Sequence, residues 1–278
     1  MLGAVIGDII GSPYEFHNIK TKDFELFCKR SCFTDDTILT CATADWLVNK
    51  MSPKDALLKW GKCYQNRTYE NGTVNAFGKG FLSWLENQTP LHAKTNGCIM
   101  RLSPVIFAFD NKQEALKHAL EFTKITHNHE DSLIATAAYI ETAFLLKQNI
   151  PPQIIKNKIM HRYQYNLSQS VDEIRKNYNK FYCSCKNSVP QAIICALDAS
   201  SYEDAIRNAV SLGGDSDTLA TMAGGLAQIS YQIPQHIKQA ALKYMDANVI
   251  EMIRQFNHAF CPAKHNASFS HTHLSQER

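Results

Sequence analysis

Asp131–Lys147 reads DSLIATAAYIETAFLLK. Leu133, Ile134, Ala137, Ala138, Ile140, Ala143, Phe144 and Leu145 recur three and four positions apart, which gathers them on one broad stripe of an α-helix. The same period recurs in both directions from this stretch: in Thr37–Val48, Lys54–Tyr64, Glu114–Ile125, Ile154–Arg162, Gln191–Leu197 and Asp204–Leu212, and through the long Pro234–Phe256 region. Prolines at 53, 151, 152, 190 and 234 mark helix starts, where a missing N–H costs nothing and the fixed φ suits the first turn. Alternation by two is scarce, and Phe24–Phe27 is the one good strand candidate. These features predict an all-α protein of roughly ten or more helices, judged from typical helix lengths.

Composition adds bounds. A chain of 278 residues with 45% hydrophobic content can bury a large core, and no Ser/Gly-rich or Pro-rich tract divides it. One domain over residues 1–261 is therefore expected, followed by a polar, His/Ser-rich tail over 262–278 expected to be disordered, with His271 and His273 solvated. A net charge of +3, with acids and bases intermixed, excludes a nucleic-acid footprint. Lys156–Arg162 and Arg175–Lys180 alternate basic with apolar residues and read as solvated helix faces. Nine cysteines lie scattered along helical segments. Cys28/Cys32 and Cys183/Cys185 lack well-spaced partners for zinc, so buried thiols in a reducing compartment are expected. Met1–Ile10 has no basic leader and carries Asp8, and Leu219–Tyr231 is too short to span a bilayer. A soluble, cytoplasmic protein that binds no membrane follows as the expectation.

Against this helical background, acids gather where a core would not want them. Phe33-Thr34-Asp35-Asp36-Thr37 leads into the apolar run Ile38–Leu47, and Gly213-Gly214-Asp215-Ser216-Asp217-Thr218 leads into Leu219–Gly225. One acid at a helix start is ordinary capping. Two acids with hydroxyls, twice, in front of buried helices repel one another and lose hydration, so they call for a cation. Neither segment has a neighbouring Lys or Arg, and oxygen-only donors suit Mg2+ or Mn2+ rather than zinc. Capping alone remains a sound reading of Asp35–Asp36 taken singly. The alternation and terminal Glu of an EF-hand are absent.

Two further segments carry weaker signals. In Gly3–Glu15 (GAVIGDIIGSPYE) the glycines at 3, 7 and 11 share a helix face that permits close backbone packing. Pro13 ends that helix and leaves Glu15 on a turn, either as an exposed acid or as a carboxylate directed at a site. In Thr95–Pro104 (TNGCIMRLSP), Asn96-Gly97 is a turn whose N–H groups can hold phosphate or ribose oxygens. His127 ends a helix, where a cap is the more ordinary role.

Together GAVIGDIIGSPYE, FTDDT, NGCIMRLSP, ITH and SLGGDSDTLATMAGG, in this order from Gly3 to Gly225, resemble the ADP-ribosylglycohydrolase family. KTKDFELF (Lys20–Phe27) looks like a connector found in bacterial members. The resemblance implies a single-domain orthogonal helical bundle with a binuclear Mg2+ or Mn2+ centre. Thr34, Asp35, Asp36, Asp215, Asp217 and Thr218 would be metal ligands, and Glu15 the acid beside them. Asn96 and Gly97 would contact ADP-ribose, His127 the phosphates, and Gly78 matches a glycine at a cleft helix start. Ser216 stands where Thr is common, and Cys98 and Ile99 replace small residues after Asn-Gly. The implied reaction removes ADP-ribose from a modified protein or small molecule by cleavage at the ribose anomeric carbon. An arginine N-glycosidic bond is the first choice, an O-link the second, and Glu15 and Asp36 are the catalytic pair. A monomer is expected. The alternatives are a non-catalytic ADP-ribose-binding module and a metal-dependent phosphohydrolase, whose Asp-x-Asp-Thr would follow a buried strand.

Overall fold

The glycines at 3, 7 and 11 have a direct structural cause. Helix α1 (Leu2–Gly11) lies backbone to backbone against α12 (Ser216–Ser230). In the computed structural model, which describes residues 1–68 and 77–261, a Cβ on Gly7 would stand 2.2 Å from the Ala220 carbonyl oxygen, and one on Gly11 would stand 2.5 Å from Asp217 Cα. No other residue permits that approach. The consequence is functional: the end of α1 meets the beginning of α12.

Around this pair pack α2 (Asp35–Asn49), α5 (Ser103–Ala108), α7 (Glu130–Lys147), α10 (Cys185–Leu197) and α11 (Tyr202–Leu212), and α3 (Pro53–Tyr64) packs on the far side of α2. The outer layer holds α4 (Lys79–Asn87), α6 (Lys112–Lys124), α8 (Pro152–Tyr163), α9 (Val171–Asn177), α13 (Gln235–Leu242) and α14 (Ala247–Phe260). Among the described residues there is no strand, only two isolated bridges, so the all-α expectation holds. None of these helices is long and apolar enough to cross a membrane.

Helix α7 is buried more completely than its stripe predicts. Tyr139, Ile140, Ala143 and Phe144 are in the core, while Leu133, Ile134 and Ala137 are half-buried. Its buried Thr136 and Thr142 donate back to the Ser132 and Ala138 carbonyls at 2.8 Å, which satisfies hydroxyls within the helix itself. Tyr139 and Tyr202 are fully buried, and their hydroxyls reach the Met222 and Gly3 carbonyls at 2.9 and 2.7 Å. Those bonds avoid a penalty of about 1–3 kcal/mol per unsatisfied group, comparable to what burying the ring contributes.

Several expectations need correction. Phe24–Phe27 is not a strand. Among the described residues no strand lies beside it; side chains pin it instead, with Tyr14 donating to the Glu25 carbonyl and Arg207 Nη1 to those of Lys22 and Phe24. Pro190 lies inside α10, which begins more than a turn earlier at Cys185. The Pro234–Phe256 region is two helices, because the chain turns between Leu242 and Ala247, where Asp246 caps α14 by accepting from Val249 N at 2.9 Å. All nine cysteines are free thiols, but only Cys41, Cys98, Cys185 and Cys195 are buried. The tail expected over 262–278 lies outside the described residues.

Candidate metal centre

The junction of α1, α2 and α12 collects acids. Asp8, from the last turns of α1, is fully buried. It accepts from Thr34 N at 2.8 Å and Thr37 N at 3.1 Å, and lies 2.7 and 2.5 Å from the two threonine hydroxyls. Four bonds thus clamp the start of α2 onto α1. Thr34 also caps α2, its hydroxyl oxygen accepting from Asp36 N at 3.3 Å. Asp36 is 2% exposed. Its Oδ2 accepts from Thr218 Oγ1 at 3.2 Å, while its Oδ1 is buried with no hydrogen-bond partner.

The α12 side is shaped by a two-glycine turn. Gly213 and Gly214 have φ of +74° and +71°, in the left-handed region where a side chain is strained. Asn18 brackets the turn, accepting from Gly214 N at 2.8 Å and donating to Gly214 O at 3.0 Å. This aims Asp215 and Asp217 inward, 6% and 3% exposed. Asn96 Nδ2 donates to Asp215 at 2.7 Å, and Thr218 N to Asp217 at 2.9 Å. Glu15, half-buried, follows the 3-10 turn Ser12–Tyr14 that closes α1.

Two carboxylate triads result. Oxygens of Asp8, Asp36 and Asp217 lie within 4.8 Å of one another, and so do those of Glu15, Asp215 and Asp217. Asp217 belongs to both. Burial first, and neighbouring acids second, push Asp36 and Asp217 well above the usual carboxylate range. The same causes raise Glu15 to about 8, with Asp215 and then Asp35 the acids that raise it most. Burial also raises Asp8 and Asp215, against the pull of their hydrogen bonds. Among the described residues no Lys or Arg forms a salt bridge with any of these acids. A centre of hard oxygen donors, mutually repelling, with one buried carboxylate oxygen left over, fits divalent cations of the Mg2+ or Mn2+ type.

Thr34 and Thr218 direct their hydroxyls at Asp8 and Asp36. Asp35 is half-buried and outside both triads; burial, then Asp8 and Asp215, raise it to about 8, while Arg101 opposes the rise. Asn96 opens a short 3-10 turn and is held to the acids through Asp215, while Gly97 and Gly78 both face open space where a Cβ would stand. Gly78 caps α4 and adjoins 69–76, outside the described residues. His127 has both ring nitrogens engaged, with Thr95 Oγ1 at 2.8 Å and Thr126 Oγ1 at 2.7 Å. Burial, aided by Arg101, lowers it to about 3, so its imidazole is neutral.

Sequence reasoning missed Asp8 and Arg101. The signal for Asp8 was a lone charge inside an apolar helix, next to a glycine that permits contact. Arg101, 1% exposed, donates to Thr126 Oγ1 and lies 5.2 Å from the Phe122 ring, and its Nε is buried without a partner. It is the buried cation facing Asp35 and His127.

Residues 1–265 match a family model described as ADP-ribosylglycohydrolase. The chain is 22% identical over 279 residues to ADP-ribosylarginine hydrolase Tri1 of Pseudomonas putida (strain GB-1), covering 87% of this chain and 73% of that protein. It is 22% identical over 331 residues to ADP-ribosylhydrolase ARH3 of Bos taurus, covering 90% of this chain and 89% of that one. A solved structure described as an ADP-ribosylglycohydrolase-related protein complex shares the fold, with a TM-score of 0.67 at 19% identity, covering 93% of this chain and 96% of that chain.

Proposed function

Because the chain belongs to the ADP-ribosylglycohydrolase family, we propose that it is a divalent-metal-dependent hydrolase that frees ADP-ribose from a modified target, with the arginine N-glycosidic bond as its preferred linkage. The observation that carries this reading is the pair of carboxylate triads sharing Asp217, with Asp36 Oδ1 buried and unpartnered. Mg2+ or Mn2+ held by Asp8, Asp36, Glu15, Asp215 and Asp217 would supply positive charge that orients ribose hydroxyls and makes a water easier to deprotonate.

The chain's own groups divide the remaining work. Asp8 carries no proton in the reaction; its four bonds to Thr34 and Thr37 fix Asp36 in place. Asn96 does the same for Asp215. Glu15 stands on a turn rather than in a helix, and it takes the proton from the attacking water. Its neighbours' negative charge strengthens its hold on that proton. The water oxygen bonds to the anomeric carbon, the bond to the target's nitrogen or oxygen breaks, and the proton passes to the departing group. Oxocarbenium character builds at the sugar as that group leaves. Asp215 follows α11 and a glycine turn, not a strand, which separates this arrangement from the phosphohydrolase alternative.

The test is hydrolysis of a panel of substrates carrying ADP-ribose on arginine, serine or another group, with and without divalent ion. Asp36→Ala and Asp215→Ala should abolish release while helicity persists. Full activity in EDTA defeats the metal assignment, and binding of ADP-ribose without turnover of any substrate defeats the enzymatic one.

A further inference from the structure

The Arg175–Lys180 stretch, expected to be a solvated helix face, is not simply that. Together with Lys20 it bounds an open cleft of about 470 Å3, lined by Lys20, Asp172, Arg175, Lys176 and Asn179. Three of these residues are cations and one is an acid. Arg175 has a side chain only 15% exposed. Its Nε donates to Ser211 Oγ at 2.9 Å and its Nη1 to Asp172, while its Nη2 is buried with no partner. Lys20 turns its ammonium inward, donating to the carbonyls of Tyr178 at 2.6 Å and of Leu212. Burial, and then the charge of Arg175, lower the Lys20 proton affinity, so these two cations work against each other.

Asp172 does not balance this arrangement. It is 77% exposed, and its i,i+3 pairing with Arg175 is of the kind that contributes little in water. A guanidinium paired only with Ser211 and the exposed Asp172, two ammonium groups and the Asn179 amide match an anion with several oxygens. The planar arginine fork suits the tetrahedral faces of phosphate better than a point charge does. We infer that this cleft binds a phosphoryl oxyanion between the Arg175 guanidinium, Lys176 and Asn179, with Lys20 at its wall. The site is independent of the acidic centre, which would repel such a group unless metal were bound. It is nonetheless adjacent in structure, since Lys20 grips the carbonyl of Leu212, the residue before the Gly213-Gly214 turn. The phosphoryl group belongs either to a free small molecule or to a phosphorylated side chain of the target.

The full chain in EDTA, where pyrophosphate cannot be held through a metal, is titrated by calorimetry with inorganic phosphate, pyrophosphate and a phosphoserine peptide. At least one probe should bind saturably, and Arg175→Gln should weaken it about tenfold or more, as expected for one lost charge-assisted hydrogen bond. If Arg175→Gln does not fold, Lys176→Gln on the exposed face decides, with a loss of about threefold or more expected from one partly screened charge. Lys158→Gln, which removes the same charge from an exposed position on α8, should change affinity less than about twofold. Stronger binding of the peptide identifies the source as the target, and stronger binding of pyrophosphate a free metabolite. No saturable binding of any probe, equal weakening by Lys158→Gln, or binding unmoved by the deciding variant overturns the assignment. Asp215→Ala should bind the probe as the parent chain does, so a failure of the proposed hydrolase activity leaves this outcome readable.

Discussion

Helix α2 carries two buried acids with opposite fates. Asp45, 1% exposed, is fully provided for: Lys59 Nζ and Trp60 Nε1 donate to Oδ2 at 2.6 and 2.8 Å, and Asn49 donates to Oδ1 at 2.6 Å. Burial pushes its carboxyl up, but these three donors outweigh that and hold it below the usual range. Asp36, two turns earlier and as deeply buried, has only the hydroxyls of Thr218 and Thr34 near Oδ2, at 3.2 and 3.4 Å, and nothing on Oδ1. Its neighbours are more acids. A fold that supplies a lysine, an indole and an amide to one carboxylate could have done so for the other. Satisfied burial marks a structural acid, and unsatisfied burial among like charges marks one kept for a ligand.

The largest effect that tests this contrast is on turnover. Asp36→Ala or Asp217→Ala should reduce ADP-ribose release by about a thousandfold or more, because residues that act as a unit fail together. Thermal unfolding of the metal-free Asp36→Asn chain should be unchanged or occur at higher temperature, since the amide needs no proton taken up to be buried among these acids. A large loss of stability would place Asp36 with Asp45 and break the distinction. The converse variant, Asp45→Ala, should cost about 2–3 kcal/mol by leaving the buried Trp60 N–H unpaired, as read by urea denaturation. Its activity at saturating ion should stay within about twofold of the parent, because Asp45 touches nothing in the acidic centre.

The same contrast explains what was legible in the sequence. Helices were legible because burying a stripe forces a three-to-four spacing, and α7 shows it even though its burial runs nearly all round. Asp35–Asp36 and Asp215–Asp217 drew attention because charge opens a run that is otherwise apolar. Asp8 did not, although it lies at the heart of one triad. Its partners Thr34 and Thr37 are more than 25 positions away, and only the close contact of α1 with α12 reveals that a charge inside an apolar helix has somewhere to go. Asp35 shows the reverse: it is prominent beside Asp36, but the helical turn of about 100° per residue sends the two side chains in different directions. Phe24–Phe27 misled because aromatic content is a weak substitute for a partner strand.

Stability against pH sharpens the comparison further. Glu15 rises from 4.5, and Asp35 from 3.8, to about 8 in the folded chain. Between those values the folded protein holds protons that the unfolded chain has already released, so the metal-free stability these two groups contribute is full below about pH 4 and is lost as pH rises toward 8. Asp45 has the opposite sign: its contribution is present above 3.8 and is lost only as pH falls below that value. Melting temperatures in EDTA should therefore decline from pH 5 to pH 8, and saturating Mg2+ or Mn2+ should flatten or reverse the trend. A melting temperature that climbs over this range without metal would show that the centre is not charge-frustrated.

The smallest effect concerns how Asp36 is held. Thr37→Val is close to isosteric and keeps the backbone N–H that reaches Asp8 at 3.1 Å, while removing the hydroxyl at 2.5 Å. One lost hydrogen bond to a carboxylate predicts about 1–2 kcal/mol of stability. More telling is where the kinetic effect should fall. Asp8 would be freer to turn, so the ion concentration giving half-maximal activity should rise several-fold, as for lost support behind a metal ligand. At saturating ion, kcat should stay within about twofold, because no group that meets the substrate has changed. A drop in kcat that excess ion does not restore would move Thr37, and Asp8 with it, from holding the centre to taking part in the chemistry.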